Sequence, residues 1–469
     1  SEFYSKYVSL SASLSELQDM ALALDQIYLV APDENLKKYD SSFFASIGFH
    51  VKRFIYSFSN DYLGDNTDSK NSIKLWINWG NDQAQVLSSL IQESFTPKTG
   101  INVKFQLVNT SIIQGILTNN QPDVVLHMDR SNPVNYAMRG ALYPLNSFED
   151  FDIVLEQFMA GSEEPYKYNE NCYALPDTQS YYVMFYRSDV LKQLNIEVPK
   201  TWEEFEEALS VIQRNNMNAY FPYVKPTGIT GSIGQLNLFA TLLTQKNISV
   251  YNSEHNANVL NNREAINVFE KYTDFYTKYK IPVTADFYNR FRLGVTPLGI
   301  APYTQYTVLK AAASEIDGKW GIAPIPGVVL ENGKINNVQC GSGTGCCILN
   351  KSNNKEAAWE FLKWWTSSDI QRRYSQNLES ILGPTARIAT SNVVALCNYS
   401  WNVRDKEILL GQWKKVVEIP EVPGSYHLAR SLDQAFLEVV NNKSTPNDAL
   451  IKWMKLANNE IERKIAEYQ

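Results

Sequence analysis

The alternation of short apolar segments with amphipathic segments after residue 72 constrains the fold of this chain most. Residues 73–77 predict a short strand, and residues 82–95 predict a helix that Pro97 and Gly100 bring to an end. Residues 101–108 and 123–127 predict the next two strands. Strands that are joined by helices form right-handed crossovers, so this order predicts a parallel α/β sheet.

Polar residues follow each of these predicted strands, at residues 78–82, 109–110 and 127–130. The carboxyl ends of parallel strands meet at one edge of a sheet, and ligands of open α/β sheets bind there. The sequence therefore predicts a binding site at this edge. Further helices are predicted to begin at a capping box that opens with Thr201 and at a cap on Thr445.

Residues 1–70 follow a different pattern. Apolar residues recur every three or four positions from Leu10 to Tyr28 and again from Phe44 to Phe58, which is the period of one helical face. We predict an antiparallel helical hairpin, followed by a polar linker at residues 59–69. The hairpin is either an attachment or spacer module or a plain helical extension packed on the main domain, and the pattern leaves both open.

Composition narrows the class of protein. A length of 469 residues suggests two or three domains. The 43 basic and 50 acidic residues give a net charge of −7, which argues against nucleic acid as a partner. Five cysteines are too few for a disulfide scaffold, and four histidines argue against a His-rich metal site, so we predict no metal and no cofactor. No apolar run approaches the roughly 20 residues that cross a bilayer.

Motifs of catalysis are missing from the sequence. It contains no P-loop, no H-E-x-x-H, no C-x-x-C and no G-x-S-x-G. The glycine-dense stretch at residues 341–345 lacks the dinucleotide-binding spacing and predicts tight backbone near a hinge or cleft instead. No pair of carboxylates stands out as a glycosidase pair, although 50 acidic residues leave that alternative open.

Five parts of the sequence together resemble one family. They are residues 122–125 with 139–145, 173–176 with 183–191, 198–205, 291–300 and 357–366. In order and spacing they are similar to the extracellular solute-binding proteins of bacterial ABC importers, which include the maltose-binding protein and many oligosaccharide binders. The resemblance covers about residues 72–469 and leaves the predicted hairpin out.

The resemblance implies an α/β, two-lobed, periplasmic-binding-protein-like fold of type II, with a hinge that closes on a ligand. The implied first lobe is residues 71–182 with 300–368, and the second is 183–299 with 369–469. The chain would cross between the lobes near residues 179–183, 298–301 and 367–371, and residues 291–300 would form a hinge strand.

The resemblance also implies the ligand-binding positions. They are Trp79, Asn81, Asp82, Asp129, Arg130, Gln179, Ser180, Tyr182, Tyr303, Tyr306 and Tyr426. Aromatic rings pack on the C–H faces of a sugar, and polar side chains bind its hydroxyl groups. The chain departs from the maltose binder at His127, where a stacking tryptophan is expected, and at Ser180, where an acid is expected.

The residues alone leave other interpretations open for several of these positions. Asp82 could be only a helix cap, and Arg130 could be only a surface partner of Asp129. Tyr303 and Tyr306 could both be core residues, and His127 could be a structural histidine at the end of a buried strand.

The resemblance implies a substrate-binding component that captures a carbohydrate, with an oligosaccharide favoured, and delivers it to the membrane subunits of an ABC permease. It implies no enzymatic activity, no cofactor and no nucleic-acid partner. We expect an extracellular, cell-surface protein of a bacterium, a monomer, held to the membrane only by a lipid anchor outside this sequence. A glycan hydrolase, or a binder of a peptide or small anion, remains the alternative.

Overall fold

The computed structural model describes residues 71–467 except 78, 108–114, 116–120, 227–231 and 233–237. The predicted hairpin at residues 1–70 and the strand end at residues 109–110 lie outside the described residues.

Within the described residues, short strands alternate with helices. The strands are β1 (Ser72–Ile77), β2 (Asn102–Leu107), β3 (Val124–Asp129), β4 (Lys167–Tyr168), β5 (Asn171–Cys172), β6 (Leu175–Ser180), β7 (Tyr182–Arg187), β8 (Ala219–Tyr220), β9 (Leu298–Pro302), β10 (Trp320–Ala323), β11 (Val328–Val329), β12 (Ile335–Asn336), β13 (Gln339–Cys340), β14 (Ser342–Ile348) and β15 (Val416–Val417).

The α-helices range from four to 21 residues in length. In chain order they are α1 (Asn81–Leu90), α2 (Thr96–Thr99), α3 (Asn132–Ala137), α4 (Phe151–Leu155), α5 (Ser188–Leu194), α6 (Trp202–Arg214), α7 (Leu238–Gln245), α8 (Arg263–Thr277), α9 (Phe287–Arg292), α10 (Gln305–Ala312), α11 (Lys355–Thr366), α12 (Ser368–Leu382), α13 (Val393–Cys397), α14 (Val403–Trp413), α15 (Ser425–Val440) and α16 (Pro446–Ala466). A π-helical turn, Ile91–Phe95, joins α1 to α2, and 3₁₀ turns lie at Leu145–Ser147, Glu164–Tyr166, Ser314–Ile316 and Pro384–Ala386.

The first lobe is built on a five-stranded sheet in the order β2-β1-β3-β14-β6. β1 pairs in parallel with both β2 and β3, whereas β14 lies antiparallel between β3 and β6. The carboxyl ends of β1, β3 and β6 therefore share one edge with the start of β14. The predicted parallel α/β arrangement is confirmed, with one antiparallel strand inserted in it.

The second lobe is built on a four-stranded sheet in the order β10-β7-β9-β8. Both of its faces are covered. This can be seen from β7, whose successive residues point to opposite sides of the sheet. Tyr182 and Met184 join the larger core of this lobe, while Val183 and Phe185 join an aromatic cluster on the other face. β7 is thus buried on both sides, which is why it reads as a continuous apolar run.

Helix ends follow the predicted caps in two cases and differ in a third. The hydroxyl group of Thr201 accepts from the amide of Glu204 at 3.2 Å, and that of Thr445 accepts from the amide of Asp448 at 3.1 Å. Both predicted caps are confirmed. Asp82, in contrast, does not cap α1, because the helix begins earlier, with Gly80 at the N-cap, and leaves Asp82 exposed in its first turn.

The sheet pairing corrects the predicted passages between the lobes. The first passage, between Ser180 and Tyr182, lies within the predicted residues 179–183. The second lies between β10 and β14 and not at residues 298–301, because β9 pairs inside the second sheet with β7 and β8. Residues 300–323 therefore go with the second lobe. α12 packs in the core of the first lobe, so the third passage follows residue 382 rather than residues 367–371.

The segment predicted as a hinge strand at residues 291–300 contains the end of a helix as well as the start of a strand. Asp286 caps α9 by accepting from the amide of Asn289 at 3.1 Å, and Phe287 and Phe291 bury one face of that helix. The strand begins only at Leu298. A local cap and two buried aromatic rings thus outweigh the strand propensity of the sequence.

Four of the five cysteines are buried thiols, and Cys397 is half-buried. Among the helices of the described residues, none has both the length and the apolar composition needed to cross a lipid bilayer.

Candidate functional site

Aromatic rings gather where β1 and β3 end in the first lobe. Trp79 follows β1 and is half-buried. The centroid of its ring lies 4.6 Å from that of His127 and 5.7 Å from those of both Trp365 and Tyr374. Trp79 thus forms part of an aromatic wall at the edge that the sequence predicted, with its remaining surface open to solvent.

Oxygen-bearing side chains lie beside this wall. Asn81 is half-buried and Asp82 is exposed in the first turn of α1. Asp129 is half-buried, and its Oδ1 accepts from the amide of Ser131 at 3.0 Å and from its hydroxyl group at 2.8 Å. Ser180 is half-buried at the end of β6, opposite Ser342. These four positions stay accessible to a ligand.

Arg130 is not accessible, and the prediction that it contacts a ligand needs correction. Its side chain is 1% exposed, and Nη1 donates to the carbonyl oxygen of Gly341 and to Glu418, both at 2.7 Å. Nη2 donates to the carbonyl oxygen of Ile419 at 3.2 Å. Arg130 therefore ties the end of β3 in the first lobe to a segment of the second, and this ion pair satisfies its charge.

A second buried acid, Glu421, lies next to Arg130. Its Oε1 is 3.6 Å from Nε of Arg130, and its Oε2 accepts from the hydroxyl group of Ser425 at 2.5 Å. The hydroxyl group of Ser232 also donates to it. Burial raises the pKa of Glu421 to about 7, although Arg130 opposes that shift. Loss of hydration accounts for this direction, because a carboxyl group that is buried away from water favours its neutral form.

Gln179 is also a buried connector rather than an open contact. Its Nε2 donates to Oε1 of Glu418 at 2.5 Å, and its Oε1 accepts from the indole nitrogen of Trp413 at 2.6 Å. Both ends of the amide are thereby used within the protein, which explains why this residue sits at the first passage between the lobes.

Three predicted tyrosines belong to the cores in this structure. Tyr182 has no exposed surface, and Tyr303 is 2% exposed and stacks on Tyr181 with a centroid distance of 4.6 Å. Tyr306 is also buried, and its hydroxyl group donates to Asp405 at 2.7 Å. The structure does not bring these side chains to an open surface, and the alternative that Tyr303 and Tyr306 are core residues fits it.

Tyr426 of the second lobe is half-buried in the first turn of α15. Its ring lies 4.3 Å from that of His427, and the guanidinium group of Arg430 lies 5.8 Å from its centroid. The ring keeps an accessible surface, so Tyr426 can still contact a ligand.

Sequence reasoning missed Asp177, which is buried with 1% of its surface exposed. Its Oδ1 accepts from the indole nitrogen of Trp365 at 2.8 Å, and its Oδ2 accepts from the amide of His127 at 2.8 Å. Nδ1 of His127 lies 2.6 Å from the same Oδ2. An acid that directly follows the apolar residues Leu175 and Pro176 was the available signal, because buried acids need such partners.

Two cavities of about 390 and 360 Å³ lie away from this wall and share His255 and Pro420. The smaller one lies between the lobes, with Lys167 on one side and Glu421 on the other. None of the eleven predicted positions lines either cavity. Within the described residues, no group of three His, Cys, Asp or Glu side chains is arranged to hold a metal ion.

The fold matches solved structures of sugar-binding proteins. The sugar-binding protein MalE from Xanthomonas citri is 17% identical with a TM-score of 0.67, over 85% of this chain and 99% of that one. An ABC transporter solute-binding protein from Thermotoga lettingae, solved with α-D-tagatose, is 19% identical with a TM-score of 0.63, over 84% of this chain and all of that one. At these identities the likeness shows the two-lobed fold alone.

The sequence comparisons give the family. A maltotriose-binding protein from Pyrococcus abyssi is 23% identical over an alignment of 312 residues that covers 63% of this chain. The chain spans 62% of the length of that relative. The model of the bacterial extracellular solute-binding protein family matches residues 91–399, about two thirds of the chain. The chain belongs to the bacterial extracellular solute-binding proteins.

Proposed function

We propose that this protein binds a carbohydrate, most simply an oligosaccharide, between its two lobes and closes on it by a hinge movement. The observation that carries the proposal is the edge of the first sheet, where the half-buried Trp79 and the exposed Asp82 follow β1 and the half-buried Asp129 ends the neighbouring β3. A pyranose offers an apolar face to such a ring and hydroxyl donors to such oxygens.

Six of the eleven predicted positions make up the proposed contacts. They are Trp79, Asn81, Asp82, Asp129, Ser180 and Tyr426. The first five come from the first lobe and Tyr426 comes from the second, so a ligand that reaches both needs the lobes to come together. The maltotriose-binding relative supports an oligosaccharide over a monosaccharide.

We further propose that the protein delivers its ligand to the membrane subunits of an ABC permease and does not turn it over. In this proposal it acts outside a bacterial cell as a monomer on a lipid anchor. Membership of the extracellular solute-binding family supports the location and the partner. Residues 1–70 lie outside the family match, and the proposal gives them no part in binding.

A thermal-shift screen tests the proposal. The screen uses maltose, maltotriose, cellobiose, sucrose and D-tagatose, with a dipeptide mixture and inorganic phosphate as the other ligand classes. A ligand at 100 times its Kd stabilises the folded protein by about 2.7 kcal/mol. At roughly 2–4 °C per kcal/mol, that stabilisation is easily read.

We expect at least one sugar to raise the melting temperature and to be recovered unchanged after overnight incubation. Cleavage of that sugar at enzymatic rates would instead identify a glycan hydrolase. A shift with the dipeptides or phosphate and none with any sugar would contradict the carbohydrate assignment.

A further inference from the structure

His127 and Asp177 come together because two β-bulges lie side by side in the first sheet. Along β3, the pairing with β14 runs from Val125 opposite Cys347 to Met128 opposite Gly345. β3 thus takes three steps where β14 takes two, and the extra residue lies in the stretch that contains His127. The φ angle of His127 is +53°, in the left-handed region that a bulge uses.

The second bulge lies on the opposite side of β14, in β6. Thr178 pairs with Thr344 and Pro176 pairs with Gly345, so Asp177 is the extra residue of β6. A bulge redirects the side chain of the extra residue, and bulges are frequent beside functional sites. Both bulges lie next to Gly345 of β14, one on each side of that strand. This allows a side chain of β6 to reach β3 although the two strands are not neighbours.

Asp177 contacts His127 through one of its two carboxylate oxygens. Its Oδ2 accepts from the backbone amide of His127 at 2.8 Å and lies 2.6 Å from Nδ1 of the ring. Its Oδ1 is taken by the indole of Trp365 at 2.8 Å. Since Asp177 is 1% exposed, it cannot itself reach a ligand, and its close contact with Nδ1 restricts the orientation of the imidazole.

The same arrangement leaves Nε2 of His127 as the nitrogen that a ligand can reach. The side chain is 27% exposed, and its ring lies 4.6 Å from that of Trp79, with an interplanar angle of 78°. Among the described residues, Nε2 makes no hydrogen bond. A ring that the protein already holds in place loses little freedom when it forms one more hydrogen bond.

We propose that Nε2 of His127 binds a hydroxyl group of the carbohydrate and that Asp177 is the positioning residue for this contact. The inference rests on the proposed function and deepens it: the cleft selects sugars that carry a hydroxyl group where His127 meets them. The chemistry of the edge favours a neutral hydroxyl over an acidic substituent. Asp82, Asp129 and Asp177 are acidic, and the nearby cation Arg130 is engaged by Glu418.

The test combines nitrogen NMR of the full chain with three variants. The chain contains four histidines, so spectra of protein labelled with ¹⁵N-histidine resolve each ring. His127→Phe keeps a ring beside Trp79 and removes the nitrogens, and Asp177→Asn disturbs the positioning. Glu331→Gln is the control, because Glu331 is exposed in a turn of the second lobe.

The probe is the sugar from the thermal-shift panel that raises the melting temperature most. We expect it to shift the Nε2 resonance of His127. His127→Phe should weaken its binding about tenfold or more, and Glu331→Gln should bind like the wild type. Asp177→Asn should alter the Nδ1 and Nε2 shifts of His127 even without sugar. It should weaken sugar binding in the wild type but not in a His127→Phe background, which a merely structural role would not produce.

Deoxy analogues of the same sugar identify the contact. One of them should bind the wild type about tenfold more weakly than the parent sugar, and His127→Phe should bind both alike. Equal binding of the parent sugar by the wild type and His127→Phe, with an unmoved Nε2 resonance, overturns the inference and leaves the proposed function standing. If no sugar of the panel shifts the melting temperature, the proposed function fails and this inference fails with it. If circular dichroism shows that His127→Phe does not fold, the wild-type protein decides the question. A shift of its His127 Nε2 resonance on addition of the sugar supports the contact, and an unmoved resonance overturns it.

Discussion

Residue by residue, burial separates the side chains that hold this molecule together from those that remain available to a ligand. Arg130 and Gln179 have hydrogen-bond donors of the kind that bind sugars. Both donate instead to Glu418 inside the protein. Asp82 and Trp79 keep an accessible surface. Residue type alone cannot make this distinction, because an arginine that pairs across two lobes and an arginine that binds a hydroxyl group look the same in a sequence.

The buried acid Glu421 predicts a pH dependence of stability. Its pKa is raised from 4.5 to about 7 in the folded protein, so the folded state holds this proton more tightly than the unfolded state. The resulting stabilisation is fully present below about pH 4.5 and is lost as the pH rises through about 7, with a total of about 3 kcal/mol. Glu421→Gln should remove this component, as measured by urea unfolding at pH 5, 6, 7 and 8.

The control for that series is Glu331→Gln, since Glu331 is exposed in a turn. The stability of this control variant should follow the wild-type pH profile. Parallel profiles for the wild type and Glu421→Gln would show that Glu421 does not titrate in this range.

Trp365 and Trp364 are adjacent in α11 but differ in burial, which predicts unequal costs of truncation. Trp365 has no exposed surface and donates to Asp177, whereas Trp364 is partly buried and donates to Ser94 at 3.2 Å. Trp365→Ala should lower the free energy of unfolding by about 3–5 kcal/mol. Trp364→Ala should lower it by about 1–2 kcal/mol. Equal losses in urea unfolding would mean that the two rings are equally buried in solution.

Truncating the accessible rings should weaken ligand binding more than folding. Trp79→Ala and Tyr426→Ala each remove a ring face from the proposed cleft, which is worth on the order of 1 kcal/mol or more when it stacks on a sugar. Calorimetric titration should therefore show about a fivefold or larger rise in Kd for each variant. If both variants bind the sugar like the wild type, these two positions are not part of the site.

At the scale of helices and strands, close backbone packing explains the glycine-dense stretch before and within β14. A Cβ atom on Gly343 would lie 2.0 Å from the carbonyl oxygen of Thr178 in β6. Gly343→Ala must push β14 and β6 apart, which should cost about 1–3 kcal/mol of folding free energy.

Gly411 is the matched control for that substitution. It lies exposed in α14, and a Cβ atom there would meet nothing within 4 Å. Gly411→Ala should therefore stabilise the protein by about 0.5–1 kcal/mol. Urea unfolding measures both, and a neutral Gly343→Ala would show that β14 and β6 leave room for a methyl group between them.

Much of the element order could be predicted, because periodicity and caps are local properties of the sequence. β1, β2, β3, α6, α11 and α16 lie where the apolar spacing and the capping residues indicate. The residues at which the chain passes between the lobes were harder to predict, since they depend on the pairing of strands that are distant in sequence. β9 looks like a linker strand in sequence and becomes an interior strand only through its pairing with β7.

The candidate site was predictable only in part for a related reason. The strand order predicts the edge of the first sheet, and the family resemblance implies Trp79, Asp82 and Asp129 as the contacts at that edge. Asp177 could not, because its partner His127 is 50 residues away and the contact requires two bulges across a third strand. The spacing of residues along a sequence does not reveal a β-bulge.

In the molecule as a whole, the two lobes are joined by more than the chain that passes between them. Arg130 of the first lobe bonds to the carbonyl oxygen of Gly341, at the second passage, and to Glu418 and Ile419 of the second lobe. Breaking a buried ion pair leaves an uncompensated charge at a cost of several kcal/mol. A movement of the lobes is therefore easiest about an axis that passes close to Arg130, where these bonds need not lengthen.

Closure of the lobes on a sugar changes the distance between a spin label in the first lobe and a spin label in the second, and this distance can be measured. Ile153 in the first lobe and Leu293 in the second are 69% and 70% exposed, so both tolerate a cysteine-linked label in a Cys397→Ser background. We predict that the sugar selected by the thermal-shift screen moves and narrows the distance distribution of the doubly labelled protein. A sugar that binds by calorimetry while leaving the distribution unchanged would contradict closure of the lobes around the ligand.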